Sequence, residues 1–410
     1  MNILVIVGVL VVLSLSAVEG NWLFSSRKKT RSPVIFVPGN GGSQIETKFN
    51  KPNTVHYFCA KTQNDWYNVW LNIEELIPGV IDCWIDNVKL YYDKATRTTH
   101  NSPGVELRIP GWGDPFVVEW IDPTKNSAGS YFKDIAKALY DMGYERNKSL
   151  RGAPYDFRKA PNENEYWFKD MKKLVEDTYD QNNDTPVTII THSMGSPMTL
   201  HLLQNVSADW KKKYIQRFIS LAGAWAGSMK AVKVYAMGDD LDAFLLSGKT
   251  MRAEQISMPS LAFLLPNPLF WKPNEVIITT PGRNYTFAQL KEFFTDIGYD
   301  IGWEMRLDNL KYSTNFRAPE VEIHCLYGSN KKTVEMLQYK KPKVFEETPN
   351  LLYGNGDGTV NSRSLEACTS WKPLQKESIT AVELRDSDHM SILADQRAID
   401  YIVNLMKEEI

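Results

Sequence analysis

The chain has 410 residues, 43% hydrophobic and 23% charged, with a formal net charge of −2. That length and apolar share suit one large α/β domain with insertions, or two domains. The near-neutral balance gives no electrostatic reason to expect a nucleic-acid partner.

In chain order, residues 1–20 read as a secretory signal peptide, because the apolar run "ILVIVGVLVV" precedes small residues and a cut before Asn21. The mature protein would then be residues 21–410. Next, "VIFVPGNGGSQ" pairs a β-branched run, Val34–Val37, with clustered glycines, as a strand emptying into a ligand-binding loop does. A dinucleotide fingerprint would need a third glycine where Gln44 stands and an acid about twenty residues on at a strand end. Asp65 instead falls in a segment dense in aromatics, so that reading fails.

This segment, residues 56–100, carries "DWYNVWLNIEELIPGVIDCWI" between strand-like stretches and reads as an insertion. Farther on, "YWFKDMKKLVEDTYDQN" places Trp167, Phe168, Met171, Leu174, Val175 and Thr178 at helical spacing. "PVTIITHSMGSPMTLHLLQN" is a β-branched run (Val187–Thr191), a sharp break and a helix-like stretch. "RFISLAGAW", "VEIHCLYG" and "ITAVELRDSDH" repeat the pattern of strand then loop, and "DQRAIDYIVNLMKE" closes as an amphipathic helix. A second irregular segment, residues of about 224–320, reads as a cap or lid insertion. Strands alternating with helices imply a mostly parallel sheet with its site at the carboxyl ends.

The chemistry centres on Thr191-His192-Ser193-Met194-Gly195. A nucleophile elbow needs small residues two before and two after its serine, since the strand-to-helix turn is crowded. Gly195 meets the second demand, whereas Thr191 replaces the usual first glycine. A serine needs a base oriented by an acid, and in this kind of fold the order is Ser, acid, His. Of the six histidines, His389 alone follows a late strand in a polar loop, so it is the expected base. The expected acid is Asp357 in "GNGDGTVN", although Asp357-Gly358 also suits a hairpin turn. Asp386 and Asp388 are competitors by proximity alone. Backbone amides of Asn40 and Met194 are the expected oxyanion hole.

Four cysteines, Cys59, Cys83, Cys325 and Cys368, permit three pairings, of which the local one, Cys59–Cys83 with Cys325–Cys368, closes the shortest loops and is expected. Asn147, Asn183, Asn205 and Asn284 each head an N-x-[ST] sequon, which suits a secreted glycoprotein. Neither C-x-x-C nor H-E-x-x-H occurs, so no metal is expected.

Together, "PVIFVPGNGGSQIE", "HYFCAKTQNDWYNVWLNIEELIPGVIDCWIDN", "RGAPYDFRKAPNE", "THSMGSPMTLHLL", "IHCLYG", "GNGDGTVN" and "DSDHMSIL" resemble the family of lecithin–cholesterol acyltransferase and lysosomal (group XV) phospholipase A, with the lysosomal branch closer. The resemblance covers nearly all of the mature chain. It implies an α/β-hydrolase fold, a Ser193–Asp357–His389 triad, the local disulfide pairing, and a cap over acyl tracks. It further implies a small membrane-binding subdomain, for which Trp66, Tyr67, Trp70 and Leu71 fit an interfacial anchor. The implied reaction moves a fatty acyl group from a glycerophospholipid to water or a lipid alcohol such as ceramide or a sterol, without a cofactor. A neutral-lipid (triacylglycerol) lipase is the alternative by chemistry, and a non-catalytic lipid-binding protein the alternative by class. The expected setting is the secretory pathway, lysosomal or extracellular, with a monomer meeting a phospholipid membrane or lipoprotein surface. Lysosomal members typically carry Asp where this chain has Asn40, so activity less restricted to acidic pH is expected here.

Overall fold

The computed structural model describes residues 31–241, 246–341, 345 and 347–407. The expected signal peptide, residues 1–20, lies outside the described residues. The framework is a six-stranded sheet of β1 (Val34–Val37), β2 (Leu150–Gly152), β3 (Val187–His192), β4 (Ile215–Leu221), β5 (Ile323–Ser329) and β6 (Ile379–Arg385). Its spatial order is β6-β5-β4-β3-β1-β2, and every neighbouring pair is parallel. This is the mostly parallel α/β arrangement expected from the alternating pattern.

The uninterrupted apolar run of β1 follows from its place between two parallel neighbours, which leaves neither face to solvent. Alternate residues serve opposite cores: Ile35 and Val37 on one face, Val34 and Phe36 on the other. Phe36 stacks on Phe132 at 4.5 Å, just ahead of helix Lys133–Asp141. The closing helix Gln396–Lys407 joins the same core through Ala398, Ile399, Ile402 and Met406. The opposite face is covered by helix Glu165–Gln181, which buries Trp167, Met171, Leu174, Val175 and Thr178. That is the stripe read from sequence, except that Phe168 is only partly buried. The short β2 had no pattern of its own in the sequence, since three residues are too few to establish a period.

Both insertions are broader than expected. The aromatic one is built on a three-stranded antiparallel sheet in the order Thr62–Trp70, Ile45–Asn50, Val105–Arg108. It therefore recruits residues on both sides of 56–100, because the strand Thr62–Trp70 needs a ladder partner that only the flanking chain supplies. Helix Ile81–Val88 packs beside it, held to the loop before the strand by Cys59–Cys83. The second disulfide, Cys325–Cys368, ties β5 to the turn Glu366–Trp371. Both pairs are those expected.

The second irregular segment holds helices Met229–Met237, Gly248–Gln255, Pro259–Phe263, Leu290–Asp296 and Asp300–Thr314. It continues past residue 320 as a four-stranded sheet in the order Asn284–Thr286, Val276–Thr279, Lys331–Gln338, Asn350–Gly356. Among the described residues no helix is long and apolar enough to cross a membrane.

Candidate active site

Ser193 stands between β3 and helix Gly195–Gln204 with φ at 51°, a left-handed conformation that disfavours a side chain. Three backbone bonds hold it there: Ser193 N–H donates to the Leu221 carbonyl at 3.0 Å, and the Ser193 carbonyl accepts from Ser196 at 3.1 Å and Ala224 at 3.3 Å. The glycines around it are required by contact. A Cβ on Gly39 would lie 2.7 Å from the Ser193 Cβ, and one on Gly195 would lie 2.4 Å from the Pro38 carbonyl oxygen. Thr191 is tolerated where a glycine is usual because its hydroxyl points into a buried chain of hydroxyls. Its Oγ1 bonds Ser196 Oγ at 2.8 Å, and Ser196 Oγ bonds Ser220 Oγ at 2.8 Å.

His389 emerges from the loop after β6 and brings Nε2 within 2.9 Å of Ser193 Oγ. Its Nδ1 lies 2.7 Å from Asp357 Oδ2, and its backbone N–H donates to the Asp357 carbonyl at 2.9 Å. Asp357, fully buried, follows a strand of the four-stranded sheet rather than one of the central sheet. The two sequence readings of Asp357 hold at once. Its Oδ1 accepts from Thr359 at 3.0 Å and Val360 at 2.7 Å, closing the turn, while Oδ2 faces the imidazole. Neither competitor reaches His389: Asp386 accepts from the Asn330 amide, and Asp388 caps Met390 and Ser391. His324 is committed to Tyr401 and Glu322.

The backbone N–H groups of Asn40 and Met194 donate to no other group of the described residues. Asn40 and Ser193 line a cavity together with Ile45, Trp70, Trp84, Met258 and Leu264.

Of the four aromatic-insertion residues expected at an interface, all are half-buried and engaged within the protein. Trp66 lies under the Lys48 ammonium and the Arg108 guanidinium, 5.0 and 4.4 Å from the ring centroid. Tyr67 bonds Glu75, and Leu71 packs against both cores. Trp70 donates to the Gly41 carbonyl at 2.8 Å and forms a wall of the cavity. Exposed apolar side chains of the unit instead include Tyr57, Phe58, Ile73, Ile77 and Val80, beside Val55 and Tyr91, with Tyr57 98% exposed. Trp66, Tyr67 and Trp70 belong to the paired strand Thr62–Trp70, whereas these exposed residues lie outside it. The sequon residues Asn147, Asn183, Asn205 and Asn284 are all exposed.

Two residues that the sequence reading did not assign sit beside Ser193 and His389. His192, set aside because it adjoins the serine, is buried between Tyr131 and His389. Its position just before Ser193 was the available signal; Tyr131 had none.

Comparison with known proteins places the chain in a family. The family model for lecithin:cholesterol acyltransferase matches residues 66–396. The chain belongs to the lecithin:cholesterol acyltransferase family. It is 41% identical over 377 residues to "Lysosomal phospholipase A and acyltransferase" of Bos taurus, covering 92% of each chain. To the Homo sapiens protein of the same name it is 40% identical, covering 91% of this chain and 90% of that one. "Phosphatidylcholine-sterol acyltransferase" of Gallus gallus is 37% identical, covering 88% of this chain and 87% of that one. The crystal structure of the Tle4–Tli4 complex shares the fold, with a TM-score of 0.53 at 12% identity over 92% of this chain and 98% of that chain. Within the family match lie Ser193, Asp357 and His389, while the glycine loop at Gly39 precedes it.

Proposed function

We propose that this family member is a serine phospholipase A and O-acyltransferase that works through an acyl-Ser193 intermediate. The observation that carries the reading is the continuous line Asp357 Oδ2–His389–Ser193 Oγ, at 2.7 and 2.9 Å, opening on an apolar cavity. Relatives named lysosomal phospholipase A and acyltransferase, similar over nearly their whole length, support the same chemistry.

Ser193 Oγ attacks the ester carbonyl carbon of a glycerophospholipid as His389 Nε2 takes its proton. Asp357 steadies the imidazolium through Nδ1–H, and the Asn40 and Met194 amides receive the oxyanion. Collapse breaks the ester C–O bond, and the lysophospholipid oxygen leaves with the proton from Nε2. Water or a lipid alcohol then gives its proton to His389 and attacks the acyl carbon, releasing Ser193. Contact with a phospholipid membrane or lipoprotein surface falls to Tyr57, Phe58, Ile73, Ile77 and Val80. The loops that bear them are tied by Cys59–Cys83 and by His56 Nε2–Asp82 Oδ2 at 3.0 Å. The paired cysteines and exposed sequons support passage through the secretory pathway.

Ser193→Ala is expected to abolish acyl release from phosphatidylcholine liposomes while leaving liposome binding intact. Retained turnover would refute the reading, and turnover of triacylglycerol emulsions alone would favour a neutral-lipid lipase.

A further inference from the structure

A hydrogen-bonded chain runs under the nucleophile from the glycine loop to the catalytic histidine. Gly39 N–H donates to the Tyr131 hydroxyl oxygen at 3.0 Å. That hydroxyl bonds His192 Nδ1, and His192 Nε2 lies 2.9 Å from the backbone carbonyl oxygen of His389. His389 N–H donates in turn to the Asp357 carbonyl.

Only one arrangement of protons satisfies every member. A carbonyl oxygen accepts and never donates, so His192 Nε2 carries the hydrogen. Burial, and then the neighbouring His389, hold His192 well below the ordinary histidine range, so the ring is neutral and Nδ1 is bare. Nδ1 must therefore accept, and Tyr131 must donate. Burial keeps the Tyr131 phenol protonated, and its oxygen still has a lone pair for Gly39. The side chains are sealed from water, Tyr131 being 3% and His192 1% exposed. The imidazoles of His192 and His389 sit 4.8 Å apart, centroid to centroid. Tyr131 also fills the space beneath the loop: a Cβ on Gly42 would lie 2.8 Å from its hydroxyl oxygen.

We propose that Tyr131 and His192 are positioning residues whose one-directional chain holds the oxyanion loop and the His389 loop in register across Ser193. Neither touches the reacting atoms. Each end of the chain grips backbone, so it sets where the Asn40 amide and the His389 ring stand relative to one nucleophile.

The proposal rests on the serine-hydrolase reading above, and its test separates the two. Wild type, Tyr131→Phe, His192→Gln and His192→Leu are compared for turnover of a soluble p-nitrophenyl ester and for the rate of Ser193 labelling by a fluorophosphonate. Thermal melting is measured alongside. Tyr131→Phe is expected to lower kcat and the labelling rate together by about 10- to 100-fold, with KM nearly unchanged, since misplacement by ~1 Å costs on that order. His192→Gln, whose amide can accept from Tyr131 and donate to the His389 carbonyl, is expected to recover most of what His192→Leu loses. Failure of wild type to label at Ser193 would sink the hydrolase reading itself. A wild type that labels, with Tyr131→Phe labelling and turning over within about twofold of it, would overturn only the chain. If Tyr131→Phe does not fold, the Gln and Leu variants decide, and equal losses in a folded pair overturn the proposal.

Discussion

The Asn40 side chain donates from Nδ2 to Ser260 Oγ at 3.0 Å, joining the glycine loop after β1 to the helix Pro259–Phe263. The same nitrogen faces the Phe157 carbonyl oxygen at 3.4 Å. An amide makes these contacts at every pH. A carboxyl could make the Phe157 contact only when protonated, because a carboxylate and a carbonyl oxygen repel.

Asn40→Asp is therefore expected to narrow liposome hydrolysis toward acidic pH, with little change below about pH 4, near a carboxyl pKa. Wild type should keep substantial activity at neutral pH. A wild-type profile confined below pH ~5 would count against this role for Asn40.

The double duty of Asp357 can be split. In Asp357→Asn, Oδ1 still accepts from Thr359 and Val360, but the amide nitrogen faces His389 Nδ1 and favours the wrong tautomer. Turnover should fall by about 10⁴-fold with the melting temperature nearly unchanged. Asp357→Ala should lose activity and also melt lower, since each buried N–H left unpaired costs about 1–3 kcal/mol. Equal melting of the two variants would contradict the turn-closing role.

Interfacial binding should follow exposure rather than aromatic content. Tyr57→Ser with Phe58→Ser removes two large apolar groups, each contributing about 1.5 kcal/mol or more if buried in lipid. Liposome sedimentation should show binding at least tenfold weaker, on the scale of about 1.4 kcal/mol per decade. Turnover of a soluble ester should hold. Trp66→Ser, beneath Lys48 and Arg108, should weaken liposome binding far less; the reverse order would restore the strand as the anchor.

Two carboxyls, Glu254 buried and Glu75 half-buried, make stability pH-dependent. Burial pushes Glu254, on the cavity wall, up to about 8 and Glu75 up to about 7, the latter opposed by its bond from Tyr67. Both are raised above their unfolded values, so the folded state holds protons that the unfolded state releases. Their stabilisation is present in full below the ordinary carboxyl range and is lost as pH climbs through about 7 and about 8. The melting temperature should drop between pH 5 and pH 9, and Glu254→Gln should shrink that drop. An unchanged drop in the variant would remove Glu254 from this account.

Much of the site was legible in the chain because its signals are local. The order Ser193, Asp357, His389 was read from the pattern of this kind of fold, whereas the β-branched run before Ser193 and the small residue after it reflect steric demands within a few residues. The strand-then-loop repeats disclosed five of the six central strands for the same reason, β2 being too short to show a period. What the tertiary structure decided depends on residues far apart. The Tyr131–His192 bond spans 61 positions and His192–His389 spans 197, so no local pattern encodes them. Likewise, the composition of Thr62–Trp70 announced aromatics but not their exposure. Only its pairing with Ile45–Asn50, and the cations of Lys48 and Arg108 over Trp66, determined which rings were covered. Local sterics are written along the chain, whereas burial is a property of what folds back upon it.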